Sequence, residues 1–320
     1  MTSVASIKSQ VRDFYRAHPF PQWTREERRR KLGAELSRYR FLGLEDAMKG
    51  ARFLDVGCGT GNRSMLIAKQ LGVREFVGLD QSESSLAIAR QVAEEEQFDR
   101  FTPTLGDVLH IPYPDASFDV VVSWGVLHHT GDAFRGLSEM VRVCRPGGFI
   151  GVYLYNRFDH WRHDLRREKV IRLAGDDIEQ RFWVAHRLYG SKPFDAMSTE
   201  EVIAFYDEYC HPHETSHTVG ETLEWFRRLG LAYWGSYPPL RFKVLLEYLQ
   251  FRAALLNEYP ASSRRLNQMA RLTLRLPRVV SNKSSRRPPT ALHRFMWQAW
   301  WTWRGRKGGY SGGASLSARK

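Results

Sequence analysis

The chain has 320 residues, of which 42% are hydrophobic and 26% charged, and its formal net charge is +13. The composition is that of a soluble globular protein: no run reaches the ~18 apolar residues of a membrane span, and the N-terminus has no apolar signal segment. Three cysteines without Cys-x-x-Cys spacing fit a reducing compartment, so we expect a cytoplasmic protein.

The first 45 residues are predicted to form a helix, a turn and a second helix. Val11, Phe14 and Tyr15 share one helical face. The sequence His18-Pro-Phe-Pro-Gln-Trp23 then ends the first helix, because a residue that precedes proline disfavours helical backbone. Residues 1–45 are therefore predicted to form a helical N-terminal segment.

A strand, a glycine loop and a helix follow in direct succession. Residues 53–61 read Phe-Leu-Asp-Val-Gly-Cys-Gly-Thr-Gly, and residues 65–71 carry apolar side chains at helical spacing. Glycine is required where another molecule approaches the backbone closely or where φ is positive. The order places the unpaired N–H groups of a helix N-terminus at the loop, which is typical of a nucleotide-type site.

The acid at Asp55 and the early third glycine at Gly61 resemble motif I of the class I S-adenosylmethionine (SAM) dependent methyltransferases. The resemblance implies that SAM is the cofactor and that the loop holds its adenosine and methionine parts. Asp80 ends the next predicted strand, 19 residues past Gly61, where a carboxylate can accept hydrogen bonds from two ribose hydroxyls. The alternative role for Asp80 is to cap the helix that begins near Ser82.

Further motifs similar to this family follow in the family's order. They are Gly106-Asp-Val108, Phe118-Asp119, Val126-Leu-His-His-Thr130 and Val141-Arg-Val-Cys-Arg-Pro-Gly-Gly148. The resemblance implies an α/β fold: a Rossmann-like, doubly wound, mostly parallel seven-stranded sheet with an N-terminal helical cap and C-terminal helical insertions. It assigns Asp107 and Val108 to the adenine. The predicted cofactor-binding residues are Asp55, Gly57, Cys58, Gly59, Gly61, Asp80, Gln81, Asp107, Val108, Ser123 and Trp124.

The residues after the fourth predicted strand bear on the acceptor. Enzymes that methylate base nitrogens commonly carry Asn or Asp, two prolines and an aromatic where this chain has Ser123-Trp-Gly-Val. The chain therefore looks like the branch that methylates an oxygen, nitrogen or carbon of a small or lipid-like molecule. Some tRNA wobble-uridine methyltransferases share a similar His-His stretch, which keeps RNA as an alternative. A non-catalytic SAM-binding protein is the second alternative.

Acid–base groups for the reaction are predicted near the methyl donor. Imidazole titrates near neutral pH, so His128 and His129, together with Tyr15, are the candidate catalytic residues. The alternative is that one histidine bonds the backbone while the other packs under the cofactor. Further candidate residues of the acceptor pocket are His18, Trp23, Tyr155, His213 and His217.

The densest set of metal-ligand side chains lies in residues 209–217. No metal is predicted there, because the spacing matches no closed zinc motif and Pro212 restricts how its neighbours converge. The members of that set are Cys210, His211, His213, Glu214 and His217.

Positive charge is concentrated at the end of the chain. Residues 241–320 carry 17 basic and 2 acidic side chains. Such an excess of positive charge favours binding to an anionic membrane surface or to RNA. The alternative is that the tryptophans pack on the core while the arginines and lysines stay in water, which would give the same sequence pattern. The side chains concerned are Trp297, Trp300, Trp301, Trp303, Arg294, Arg304, Arg306 and Lys307.

Six segments are predicted in all. Residues 308–320 supply either the seventh strand, from Tyr310 or Ala314 onward, or a frayed tail. The segments are the cap (1–45), the SAM-binding core (46–156), a helical insertion over the substrate (157–217), a core helix and strand six (218–240), a basic helical insertion (241–307) and the C-terminal segment (308–320).

Overall fold

A computed structural model describes residues 3–237, 289–295, 298–299 and 313–320. Seven strands in these ranges form one sheet in the order β3-β2-β1-β4-β5-β7-β6. β7 runs antiparallel to β5 and β6, and the pairs among β1 to β5 are parallel. The strands are β1 (Arg52–Val56), β2 (Glu75–Asp80), β3 (Phe101–Leu105), β4 (Phe118–Trp124), β5 (Cys144–Tyr155), β6 (Ala232–Tyr237) and β7 (Gly313–Arg319). The predicted fold class is thereby confirmed.

Helices cover both faces of the sheet and its carboxyl edge. Ser or Thr side chains cap several of them, as at Thr24, Ser198 and Thr218, where a glutamate three residues on completes a capping box. The helices are α1 (Val4–Ala17), α2 (Arg25–Phe41), α3 (Glu45–Met48), α4 (Met65–Gln70), α5 (Glu83–Glu95), α6 (Ala133–Val143), α7 (Arg157–Ala174), α8 (Ile178–Tyr189), α9 (Thr199–Tyr209) and α10 (Val219–Arg228).

Two hydrophobic layers lie on opposite faces of the sheet. Leu54 and Val56 of β1 belong to the layer under α6 and α10, whereas Phe53 belongs to the layer under α2, α4 and α5. This division follows from the strand period of two residues. Val120 and Val121 of β4 are both fully buried, since both faces of a parallel strand are covered.

A third cluster joins α1 to α7, α8 and α9. Phe14 of α1 packs with Val170, Phe182 and Tyr209, and all four side chains are buried. Aromatic pairs dominate this cluster, because each ring buries a large apolar area. The predicted N-terminal cap and the predicted insertion after β5 therefore contact each other directly.

The C-terminal strand fills the gap between β5 and β6. Leu316 and Ala318 of β7 are buried, and the Ser317 hydroxyl donates a hydrogen bond to the Leu42 carbonyl over 2.6 Å. Within the predicted C-terminal segment, Gly313–Arg319 thus forms the seventh strand, while residues 308–312 lie outside the described residues. The basic insertion at 241–307 and its four tryptophans lie largely outside the described residues. Among the helices that are described, none combines the length and apolarity that crossing a bilayer would take.

Candidate functional site

A cavity of about 280 Å³ opens at the carboxyl ends of the parallel strands. Asp55 of β1, Asp80 of β2 and Trp124 of β4 line it, and α1 crosses over it with Lys8 and Tyr15. A crevice at this edge, where the strand order reverses beside β1, is the usual ligand site of a doubly wound sheet.

The loop after β1 forms the floor of the cavity. Gly57 and Gly59 line it and have φ angles of +78° and +53°. A Cβ on Gly57 would lie 2.5 Å from the Val126 methyl groups, and a Cβ on Gly59 would collide with the Phe20 carbonyl oxygen. Both positions therefore require glycine for backbone conformation and for space. Gly61 faces away, toward Met65 and Ala89, and helps α4 pack against α5.

Asp80 fixes the loop to the end of β2. Its Oδ2 accepts a hydrogen bond from the Gly59 N–H over 2.8 Å, and its Oδ1 accepts one from the Ser82 N–H over 2.9 Å. Burial raises the pKa of this carboxyl, and the backbone donors act against the rise. A carboxylate has about four acceptor sites, so capacity for ligand hydroxyls remains. Ser82, rather than Asp80, caps α5, because the Ser82 side chain accepts from the Ser85 N–H.

Asp107 lies after β3 and is held by the N-terminal helix. The Lys8 Nζ contacts Asp107 Oδ2 over 2.6 Å, and the Leu109 N–H donates to Oδ1 over 2.9 Å. Val108 beside it is buried and also lines the cavity. The Lys8–Asp107 pair thus connects α1 to the wall of the cavity that was predicted to hold an adenine.

The opposite wall carries charged groups with unused hydrogen-bonding capacity. Asp55 Oδ1, Arg38 Nε and Arg63 Nε are buried and have no hydrogen-bond partner among the described residues. Burial is the main cause that raises the pKa of Asp55 to about 7, although the Ser64 hydroxyl donates to its other oxygen. A carboxyl and two guanidinium groups complement an ammonium and a carboxylate. This donor set therefore fits the amino-acid half of SAM, and the glycine loop fits close approach of the ligand.

A second group of polar side chains surrounds the far end of the cavity. The Tyr15 hydroxyl donates to Asp207 Oδ1 over 2.9 Å, and burial is the main cause that raises the pKa of Asp207 to about 7. The Tyr15 pKa is raised well above its usual value by burial and by Asp207, so the phenol keeps its proton. Tyr155 completes this wall.

The two adjacent histidines have different environments. His129 lines the cavity, its Nδ1 lies 2.9 Å from the His213 carbonyl oxygen, and burial lowers its pKa to about 4. The ring is therefore neutral at pH 7, with the proton on Nδ1 and a lone pair on Nε2. His128 is fully buried, stacks on Tyr155 at 3.9 Å, and lies outside the cavity lining. Neither of its ring nitrogens has a hydrogen-bond partner among the described residues.

The remaining predicted acceptor-pocket residues lie outside the cavity lining. His18 stacks on Tyr206 at 4.1 Å, and Trp23 lies under the Lys31 ammonium at 4.2 Å. His213 offers its carbonyl to His129, as described above. His217 contacts Thr215 and Glu221, at 2.9 Å and 3.2 Å. The cofactor candidate Ser123 donates to the Val56 carbonyl and holds β4 to β1.

Sequence reasoning missed several residues that line the cavity. Arg63 had a usable signal, since it lies two residues past the last glycine of the loop. Asp207 had none, because α9 reaches the site only through tertiary packing. The other lining residues that were not predicted are Lys8, Val11, Phe20, Pro21, Ser85, Leu109, Gly125, Val126, Thr130 and Tyr153.

Comparisons with known proteins agree with the geometry. Residues 47–181 match the family model described as a methyltransferase domain. The chain is 34% identical over 169 residues to a sterol 24-C-methyltransferase of Gibberella zeae, a match covering 51% of this chain and 43% of the relative. It is 36% identical over 108 residues to a demethylmenaquinone methyltransferase of Listeria welshimeri, covering 33% and 46%. The matched region thus spans less than half the length of either relative.

A solved structure extends the likeness of fold to nearly the whole chain. A crystal structure titled as a putative sarcosine dimethylglycine methyltransferase from Galdieria sulphuraria superposes with a TM-score of 0.50 and 14% identity. The superposition covers 98% of each chain. At that identity, the likeness concerns the fold.

Proposed function

We propose that this protein, which belongs to the class I SAM-dependent methyltransferases through its domain at residues 47–181, methylates a small, lipid-like acceptor. The observation that carries the proposal is that one cavity combines two kinds of wall. A glycine loop and two acids line one side, and Tyr15 and Asp207 line the aromatic end on the other. The printed names of two relatives refer to a sterol and to a quinone precursor.

The cofactor would be held by two sets of residues. Gly57, Gly59, Asp80 and Asp107 would bind the adenosine half, and Asp55 with Arg38 and Arg63 would bind the amino-acid half. When bound, SAM supplies an electrophilic methyl group on a sulfonium. The acceptor atom forms a bond to that methyl carbon while the carbon–sulfur bond breaks, which leaves S-adenosylhomocysteine (SAH). Alignment of the two reactants contributes most of the rate in such a step.

The far end of the cavity would orient the acceptor and take its proton. His129 has a pKa of about 4, which makes it a weak base but leaves Nε2 free to accept a hydrogen bond. Asp207, with a pKa of about 7, is better matched to proton transfer near neutral pH, and Tyr15 would carry the proton to it. We therefore assign orientation to His129 and proton acceptance to the Tyr15–Asp207 pair.

Labelled methyl transfer tests this function. Purified protein is incubated with methyl-tritiated SAM and a cell extract, which is then separated into lipids, polar small molecules and RNA. The expected result is protein-dependent label in the organic-soluble fraction. Label in RNA would favour the tRNA alternative, and SAM binding without label in any fraction would favour a non-catalytic protein. Either result would overturn the proposal.

A further inference from the structure

Four side chains of types that can bind a metal converge beside the acceptor end of the cavity, outside its lining. His160, His163 and Asp164 lie on α7, and Glu214 lies in the segment between α9 and α10. One ligand atom from each lies within 4.8 Å of all the others. Positions i, i+3 and i+4 share one face of a helix, so α7 presents its three side chains together. The sequence motif singled out at 209–217 contributes only Glu214 to this group.

Glu214 is a buried carboxylate without hydrogen bonds. Its side chain is 5% exposed, and neither of its oxygens has a hydrogen-bond partner among the described residues. The nearest cationic groups are His163 Nδ1 at 3.5 Å and Arg167 Nε at 3.7 Å from Oε1. These ion pairs offset part of the cost of burying the carboxylate, and a ligand that engages both oxygens would stabilise it further.

Neighbouring groups orient His163 and Asp164 as outer partners orient metal ligands. His163 Nε2 lies 2.8 Å from the Glu208 carbonyl oxygen, which places a proton on Nε2, so Nδ1, which faces Glu214, is the nitrogen that would bind a metal after losing its proton. His160 Nδ1 lies 2.9 Å from Asp164 Oδ1, and the other Asp164 oxygen accepts from the Ser216 hydroxyl over 3.1 Å. The 2.9 Å and 3.5 Å separations bracket the ~3.3 Å edge of a tetrahedron built on bonds of about 2.0–2.1 Å.

We propose that His160, His163, Asp164 and Glu214 form a binding site for a divalent transition-metal ion, for which zinc is the best match. Two imidazoles and two carboxylates suit zinc and neutralise its charge. In a tetrahedral site every pair of ligand atoms lies ~3.3 Å apart, so pairs near the 4.8 Å limit would have to close by up to ~1.5 Å when the ion binds.

Four protein ligands make this a structural site, because a catalytic zinc keeps one open position. The ion would clamp α7 to the segment that carries Glu214. His160 stacks on Tyr155 of the cavity lining at 4.2 Å. Thr215 donates to the carbonyl of His128 over 3.1 Å, and the His128 ring stacks on the same tyrosine, so both sides of the clamp connect to Tyr155. Without metal, Arg167 and a protonated His163 are the groups that balance Glu214.

Zinc titration of the untagged full-length protein tests the site. After chelator treatment and dialysis, zinc binding is measured by competition with a chromogenic chelator. We expect one high-affinity ion per chain, and a fall in affinity for Glu214→Gln and for His163→Gln larger than the ~10–100-fold caused by loss of an outer partner. His186→Gln is the matched control, since His186 lies on α8, contacts the Lys192 carbonyl and is outside the group.

A second variant keeps the test valid if the substitutions at buried positions prevent folding. The Asp164 side chain is 40% exposed, so Asp164→Asn should fold, and zinc should raise its melting temperature less than that of the unchanged protein. Absence of stoichiometric zinc binding would overturn the proposal, as would zinc affinity that is the same in the variants and in the control. Either result would mean that Glu214 only forms ion pairs with Arg167 and His163.

Discussion

Gly59 has little room in the floor of the cavity, because a Cβ there would meet the Phe20 carbonyl oxygen. Its N–H also bonds Asp80, so a shifted backbone would move a carboxylate that lines the same cavity. For Gly59→Ala we therefore expect SAH binding, measured by calorimetry, to weaken at least ~10-fold, together with the ~1 kcal/mol loss of stability typical of alanine at positive φ.

Gly72→Ala is the control for that substitution. Gly72 also has a positive φ, of +67°, but a Cβ there would meet nothing within 4 Å. It should therefore lose similar stability and keep its affinity for SAH. Equal affinities in the two variants would contradict the assignment of Gly59 to the cofactor site.

The raised pKa of Asp207 predicts that the stability of the protein depends on pH. Its pKa is about 7 in the folded protein, against ~3.9 in an unfolded chain. Between these values the folded state keeps a proton that the unfolded state has lost, so the contribution of Asp207 to the free energy of unfolding falls as the pH rises from ~4 to ~7. Asp207→Asn cannot ionise. The melting temperature of Asp207→Asn minus that of the unchanged protein should therefore increase as the pH is raised from 5 to 8.

The exposed Asp195 provides the comparison for this experiment, because Asp195→Asn removes one charge from the surface. A difference between Asp207→Asn and the unchanged protein that stays constant over this pH range would show that Asp207 is ionised throughout. It would also remove Asp207 as the proton acceptor of the proposed reaction.

At the scale of elements, α1 is the part of the structure that covers the cavity. Lys8 and Tyr15 reach Asp107 and Asp207, and the Tyr15 carbonyl accepts from the Ser82 hydroxyl over 3.3 Å. A ligand beneath α1 adds contacts to it, which lowers the population of locally open states. SAH should therefore slow tryptic cleavage after Lys8, as followed by mass spectrometry of the fragments.

Cleavage after Arg172 gives the reference rate for that experiment. Its side chain is 75% exposed on α7, so SAH should leave this cleavage unchanged. If SAH slows neither cleavage, or slows both equally, α1 does not act as a cover for the bound cofactor.

β7 connects two parts of the sheet that otherwise do not pair, since β6 pairs with β7 alone among the described strands. Leu316 is 1% exposed within the core layer under α6 and α10. Leu316→Ala should cost about 2–5 kcal/mol of unfolding free energy in urea. Leu173→Ala, at a position 60% exposed on α7, should change it by less than ~0.5 kcal/mol. Similar losses at both positions would contradict the placement of β7 in the core.

At the scale of the whole molecule, local patterns predicted individual elements, and the family resemblance predicted how they are arranged. The glycine loop and the apolar strands each carry their signal within a few residues, whereas the seven-stranded sheet was expected from the resemblance to the methyltransferases. The seventh strand was ambiguous, because Gly313 to Arg319 reads as glycine- and serine-rich until its partners β5 and β6 are known.

The acceptor end and the proposed metal site could not be predicted in this way. Asp207 meets Tyr15 across 192 positions of sequence, and Glu214 meets α7 through tertiary packing. Local periodicity contains no information on such contacts. For the same reason the sequence could not say which of the adjacent residues His128 and His129 faces the cavity, whereas the structure places His129 in its lining and His128 outside it.

Direct binding of the demethylated cofactor tests the central claim, namely that this cavity is a SAM site. Calorimetry of the purified chain with SAH should give saturable binding to one site, competition by SAM, and no comparable heat with NADH. Tight NADH binding with no heat from either SAH or SAM would contradict the account, because the loop, Asp80 and Asp107 would then serve a different nucleotide.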